Sequence, residues 1–526
     1  MRDFHFPGRS PVLAHEGMAA TSHPLASLAA IETLKDGGSA ADAAVAAIAL
    51  LSVVEPHMTG IGGDCFCVVA KPGQPVWGYN GSGRAAANLS TDKLLAHGVR
   101  SIAVDSIHAV TVPGAVEAWA AILAAHGHFA LDRALAPAIR SATQGFPVSP
   151  RVAYDWGLAV DRLKADAGGT RHYLRNGRAP AVGDVMAFPE LAATLQAIAE
   201  GGPPAFYQGA IAADIVATVS ARGGYLSVED FARHRGETVE PIAANYRGLD
   251  IVELPPNGQG LTALVLLNIL ERFDVARLDA TAAERLHILL EAGRFAYALR
   301  DRHIADPAFM RTSVPALLDK AFASALADRI DRSKRVPVPP APLPGGDTVL
   351  VTVVDRDCMA VSMINSLYSP FGVGIATENT GVMLHNRGAC FVIDPDHANT
   401  IAPSKRPMHT IIPALGMQAN RCELAFGVME GSYQPMGHAH VISNMVDYGM
   451  DVQAAIDAPR VFFEGAHTLV ERGVSAAAVE GLTARGHDVR VRPLPLGGGQ
   501  AIRIDWERGV LIGGSDPRKD GCALGY

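Results

Sequence analysis

Gly345-Gly346-Asp347-Thr348-Val349-Leu350-Val351-Thr352-Val353-Val354 is a turn signal followed by a run of β-branched and apolar residues. It predicts a strand over 348–354 with a Thr at its mouth. A proline-laden segment, Val336 to Pro344, comes just before it. A Thr at a strand opening, behind a flexible and cleavable segment, is what an enzyme needs if it exposes Thr as a new N-terminus. There the free α-amine serves as the base for its own hydroxyl. The bland alternative is an ordinary β-branched strand residue, and this stretch alone favours that alternative.

Outward from this point the texture differs on the two sides. Before it, helical patterns dominate: 23–35, ending at Gly37-Gly38; 40–54, capped by Ser39 and stopped by Pro56; then 114–125, 131–145, 189–200, 210–221, 260–273, 282–302 and 315–332. Cys65-Phe66-Cys67 lies in a β-like run, with both cysteines on one face. After it, strands are expected at 359–365, 411–417, 422–428, 468–470, 489–491, 501–505 and 510–513, with helices at 436–448 and 452–457. Helices, then strands, then helices imply an α+β layered body.

The 526 residues are 49% hydrophobic, enough for a large core, and length alone suggests three or four domains. A net charge of −8 with no Lys/Arg block argues against a nucleic-acid or anionic-membrane partner. The opening residues lack the apolar run of a signal peptide, and six scattered cysteines suit a reducing, cytoplasmic setting. Gly60-Ile61-Gly62-Gly63 follows a helix rather than a strand, so it reads as a tight turn rather than a phosphate cradle. His438 and His440 diverge on a helix and do not form a metal pair. The expectation is no metal and no cofactor.

A series of short motifs carries a family resemblance. They are Asp36-Gly37-Gly38-Ser39-Ala40-Ala41-Asp42-Ala43-Ala44-Val45-Ala46, Pro56-His57-Met58-Thr59-Gly60-Ile61-Gly62-Gly63-Asp64 and Val110-Thr111-Val112-Pro113-Gly114. Pro255-Pro256-Asn257-Gly258-Gln259-Gly260, Gly346-Asp347-Thr348, Lys405-Arg406-Pro407, Asp457-Ala458-Pro459-Arg460 and Asp516-Pro517-Arg518-Lys519-Asp520-Gly521 follow. In this order and spacing the chain resembles the γ-glutamyltransferase family of N-terminal-nucleophile hydrolases. The resemblance implies a four-layer αββα sandwich, and overrules the domain count suggested by length. It implies a precursor that cuts itself between Asp347 and Thr348. The large subunit, 1–347, and the small one, 348–526, would remain an interlaced heterodimer, and two such heterodimers could associate.

Carried over residue by residue, the resemblance makes Thr348 the nucleophile and Ser366 the hydroxyl that bonds its amine. Glu430-Gly431 match the Gly-Gly pair of the oxyanion hole, with Glu a departure that brings a side chain and a charge to a tight spot. The substrate-binding positions depart further. Arg84 is displaced by two positions, Tyr368 stands at an amide-bearing position, Cys390 at an acidic one, and His409-Thr410 at a Ser-Ser pair. Arg387 or Arg84 could hold a carboxylate by a bidentate fork. The first expectation is an amidohydrolase or acyltransferase acting on γ-glutamyl compounds such as glutathione. The second is the same chemistry on a small non-glutamyl amide such as oxamate, since Ser366, Tyr368, Arg387, His409 and Thr410 are similar to the oxamate amidohydrolase branch. The third is an inactive scaffold of the same fold.

Overall fold

Ser39 opens the helix Ala40–Val54 with a reciprocal capping box. Its Oγ accepts from the Asp42 amide and the Asp42 carboxylate accepts from the Ser39 amide. The other demands on Asp42 come from the His128 and Phe129 amides, at 2.8 and 3.0 Å, which tie a second loop to the same cap. Every residue of this helix is buried. Its alanines let it lie closely on the strands Asp347–Val354 and Ala360–Tyr368, with the helices Pro24–Lys35 and Leu131–Gln144 packed beside it. Asp355, in the turn between those two strands, accepts the Ala40 amide at 2.8 Å.

The computed structural model describes residue 5 and residues 8–338 and 346–526. Two seven-stranded antiparallel sheets form the centre. One runs Cys522–Gly525, Met18–Thr21, Asp347–Val354, Ala360–Tyr368, Asp64–Ala70, Trp77–Gly81 and Glu237–Val239. The other runs Val12–Ala14, Val510–Ser515, Gly499–Asp505, Arg421–Val428, Ala414–Gln418, Leu249–Glu253 and Ile242–Tyr246. Both sheets mix strands from before and after the 347–348 bond.

Alternation along the strands sorts side chains into two cores. Phe66, Val68, Leu350, Ile364, Leu415, Ala425 and Ile502 fill the space between the sheets. Cys65, Cys67, Val349, Val351 and Met363 point the other way, into the core shared with the helices. The outer face of the second sheet is covered by Gln434–Val446, Val452–Asp457 and Gly260–Leu270. The architecture is therefore the αββα sandwich, with each layer glued to the next by apolar burial.

Most expected helices and strands occur within a few residues of their predicted bounds. The helix expected over 315–332 is instead two, Val314–Leu318 and Lys320–Ala327. Asp319 breaks it, because its side chain caps the second helix by accepting the Phe322 amide. Residues 339–345, most of the proline-laden segment, lie outside the described residues. The Gly60–Gly63 turn packs backbone on backbone: a Cβ on Gly62 would sit 2.1 Å from the Met383 carbonyl oxygen, and one on Gly63 would sit 2.4 Å from that of Ser366.

Candidate active site

Thr348 lies at an irregularity between its strand and the neighbouring one. Asp347 pairs with Tyr368 but Val349 pairs with Asn365, so Thr348 faces two residues, Ser366 and Leu367. Such bulges re-aim a side chain. The Thr348 and Ser366 hydroxyls are 3.1 Å apart, and both residues are fully buried. The Ser366 oxygen also accepts the Tyr368 amide at 2.9 Å. Just ahead of Thr348 the chain threads between two backbones. A Cβ on Gly346 would lie 2.2 Å from the Tyr368 carbonyl oxygen, and one on Gly431 would lie 2.3 Å from the Gly346 nitrogen. Glycine is required at both places.

Arg387 sits beside this pair with no exposed surface. It donates to Thr410 Oγ1 at 2.7 Å, reaches Ser366 Oγ at 3.4 Å and Cys390 Sγ at 3.9 Å, and covers the Tyr368 ring at 4.5 Å. Its Nε has no partner, and among the described residues no carboxylate lies within ion-pair distance of it. The Asp64 carboxylate balances this charge from beyond contact distance, and the unpaired Nε–H still leaves a donor for an anion.

Beneath Arg387 lies a network around Asp64. One Asp64 oxygen accepts the Gly83 and Gly114 amides, and the other takes His409 Nε2 at 3.1 Å, with His385 Nδ1 at 3.6 Å. Burial raises the Asp64 carboxyl, but His385, His409 and Arg387 outweigh it and hold the group well below the ordinary carboxylate range. Burial, with Arg387 adding to it, pushes His409 down to about 3, so the ring is neutral. His409 therefore donates from Nε2 to Asp64 and accepts the Ile411 amide at Nδ1, which fixes its tautomer. Its ring contacts are with Asp64, the Ile411 amide and Phe66.

Glu430 adopts a left-handed conformation, φ 85°, ahead of Gly431 at φ 42°. Its carboxylate is held by Arg492 and by the Gly497 amide. That anchorage answers the concern that a charged side chain would crowd the loop. Arg84 lies apart. It bonds Glu237 at 2.7 Å and the Ser404 carbonyl at 3.2 Å and is 3.6 Å from Asp306, partners that belong to another part of the fold. His438 is a structural residue between Glu253 and the Val428 amide. Of the described residues, His287, Glu291 and His487 come close enough to suggest a metal, but they are closed by bonds to one another and to Asp331, Thr468, Arg294 and Val336.

Two residues of this region carry no role in the sequence reading. Asp64 closes a quoted motif, and a carboxylate directly after a glycine turn at a strand start is a legible hint. Gln259 does not titrate and gives no such signal; only the fold shows that its amide reaches Thr410 and Gly431.

Comparison with known proteins identifies the family. The chain is similar to the glutathione hydrolase-like YwrD proenzyme of Bacillus subtilis, 38% identical with 98% of this chain and 99% of the relative covered. It is similar to the oxamate amidohydrolase proenzyme of Klebsiella pneumoniae, 35% identical over 97% of this chain and 98% of the relative. Its fold matches the crystal structure of cephalosporin acylase from Bacillus halodurans at TM-score 0.94 and 39% identity, covering 100% of this chain and 99% of that one. The pattern described as gamma-glutamyltranspeptidase spans residues 26–526, and the chain belongs to that family of enzymes.

Proposed function

We propose that Thr348 is the nucleophile of a self-cutting amidohydrolase. Scission between Asp347 and Thr348 yields 1–347 and 348–526, which stay together because each sheet needs strands from both. The freed α-amine has an ordinary pKa of about 8, close to working pH, and removes the hydroxyl proton. Thr348 Oγ1 then attacks the amide carbonyl, with the Glu430 and Gly431 N–H groups as oxyanion donors. The amine leaves with a proton, and water, or an amine acceptor, releases the acyl ester. Ser366 steadies the amine and hydroxyl. Six cysteines, none of them in a disulfide, fit a reducing, cytoplasmic setting.

The substrate this reading favours is a small amide whose acyl half carries a carboxylate next to the scissile carbonyl, as in oxamate. The observation that carries it is Arg387, buried, with an unpaired Nε–H, no carboxylate in contact among the described residues, and only one hydroxyl removed from Thr348. A carboxylate bonded there must lie close to the carbonyl under attack. A γ-glutamyl group sets its carboxylate three carbons further away and adds an ammonium that the guanidinium repels. This inverts the order of substrates expected from the sequence. The γ-glutamyl reading stays as the second one, supported by the glutathione hydrolase-like relative. Purified, self-cut enzyme given oxamate beside γ-glutamyl anilide tests the choice. Release of ammonia from oxamate with little release of aniline is expected; the reverse would make the second reading the right one.

A further inference from the structure

Gln259 is fully buried at the start of the helix Gly260–Leu270, and its side chain does not cap that helix. Its amide nitrogen instead donates to two backbone carbonyls, Thr410 at 2.7 Å and Gly431 at 2.8 Å. Its amide oxygen accepts from Arg300 at 2.9 Å. This assigns the amide orientation: turned over, its oxygen would face two carbonyl oxygens and its NH2 would face a guanidinium. Arg300 is itself buried and covers the Tyr297 ring at 4.5 Å, so the amide is gripped from behind. The backbone joins in, with the Gln259 amide on the His409 carbonyl at 2.9 Å and the His409 amide on the Asn257 carbonyl at 2.8 Å.

The two carbonyls belong to the two halves of the site. Thr410 carries the hydroxyl that receives Arg387. Gly431 belongs to the loop that faces the chain ahead of Thr348. On its other side Gly431 is fixed by the bond from the Tyr433 amide to the Glu430 carbonyl at 2.9 Å. With the Gln259 bond added, both peptide planes flanking Gly431 are held, and its N–H cannot swing. Oxyanion donors work only when they are aimed before charge develops.

We infer that Gln259 is a positioning residue: one amide group, locked by Arg300, sets the distance between the carboxylate pocket at Thr410–Arg387 and the oxyanion loop at Gly431. The inference rests on the proposed role of Thr348 and adds a determinant of which acyl lengths can react. An acyl group must span from Arg387 to the oxyanion donors, and Gln259 ties those two ends together. A displacement of about 1 Å at such a site can cost on the order of 100-fold in rate.

Gln259→Glu is the informative variant. It keeps the size and the Arg300 contact but can donate to neither carbonyl. Rates are measured as kcat and KM with whichever of oxamate and γ-glutamyl anilide the wild type turns over, and oxalate binding is measured by calorimetry, which needs no turnover. The expected result is a two-band, self-cut protein with a melting temperature near wild type, kcat lower by roughly 10- to 100-fold, and weaker oxalate binding. Gln259→Asn, which retains the donors on a shorter stem, is expected to recover part of kcat. Wild-type kcat and oxalate affinity in Gln259→Glu would overturn the inference. So would a variant that melts early or stays uncut, because the amide would then be a folding device. A wild type inert to oxamate refutes the substrate reading alone; the variant-to-wild-type ratios judge Gln259.

Discussion

At the scale of single residues, the proposed site turns on a cation and two hydroxyls. Arg387 is positioned by Thr410 and Tyr368 and has its Nε unsatisfied. Arg387→Ala is expected to raise KM for oxamate by ~100-fold, about 3 kcal/mol, the usual cost of removing one partner of a buried charged contact. The protein should still run as two bands on a denaturing gel. Unchanged KM would remove Arg387 from the substrate pocket. Thr348, Ser366 and Glu430-Gly431 were proposed together because the family resemblance carries over to those positions, and the fold brings the hydroxyls of the first two within 3.1 Å. Arg84 was singled out by nearness in sequence, and the fold commits it to Glu237, where burial raises that carboxyl but Arg406 and Arg84 more than offset it. Gln259 was invisible as a functional residue because a neutral amide acquires a role only through the groups that the fold brings to it.

At the scale of elements, the helix Ala40–Val54 illustrates what a sequence can and cannot reveal. Its bounds were readable from Ser39 and Pro56, since a cap and a breaker act locally. That Asp42 would also accept the His128 and Phe129 amides was not readable, because those donors come from a distant loop. This gives a quantitative expectation. Ser39→Ala should cost about 1 kcal/mol, an ordinary cap loss. Asp42→Ala should cost about 2–4 kcal/mol, because several amides lose their acceptor at once. Urea midpoints of the two variants check it, and equal losses would mean that the loop contacts add nothing. The strands Ile242–Tyr246 and Leu249–Glu253 escaped prediction for a related reason. In the first, Ala243, Ala244 and Asn245 carry no β-branched signal; the second, with Ile251 and Val252, is too short a run to stand out and is paired on one side by Ala414–Gln418.

At the scale of the whole molecule, burial of titratable groups sets the pH response. Burial drives His23 and His234 down to about 4, and His409 and His438 down to about 3, from an ordinary 6.5. The unfolded chain takes up these protons first, so stability is intact above about pH 6.5 and falls as pH drops from there toward 4. Glu55 acts in the opposite sense. Burial raises it to about 7, so its contribution grows as pH falls from 7 to its ordinary 4.5. Burial also raises Glu253, Asp301, Asp355, Glu423 and Asp457, but histidines pushed down, which include His126, His385, His440 and His487, outnumber the carboxyls pushed up, and the melting temperature is expected to be lower at pH 5.0 than at pH 7.5. A melting temperature equal or higher at pH 5.0 would contradict the neutral-histidine account. The layered architecture was legible from the change of texture at Thr348. The way the two halves share both sheets came from the resemblance, since local patterns do not specify which strands pair.

That sharing explains how a cut chain can stay assembled, and it makes the cut itself the central test. Stepwise N-terminal degradation of the purified protein, read against a Thr348→Ala control, addresses it most directly. The account predicts a smaller fragment beginning Thr348-Val349-Leu350 in the wild type and an uncut, inactive control. A wild type that persists as one chain of 55.2 kDa, or a fragment starting elsewhere, would contradict it.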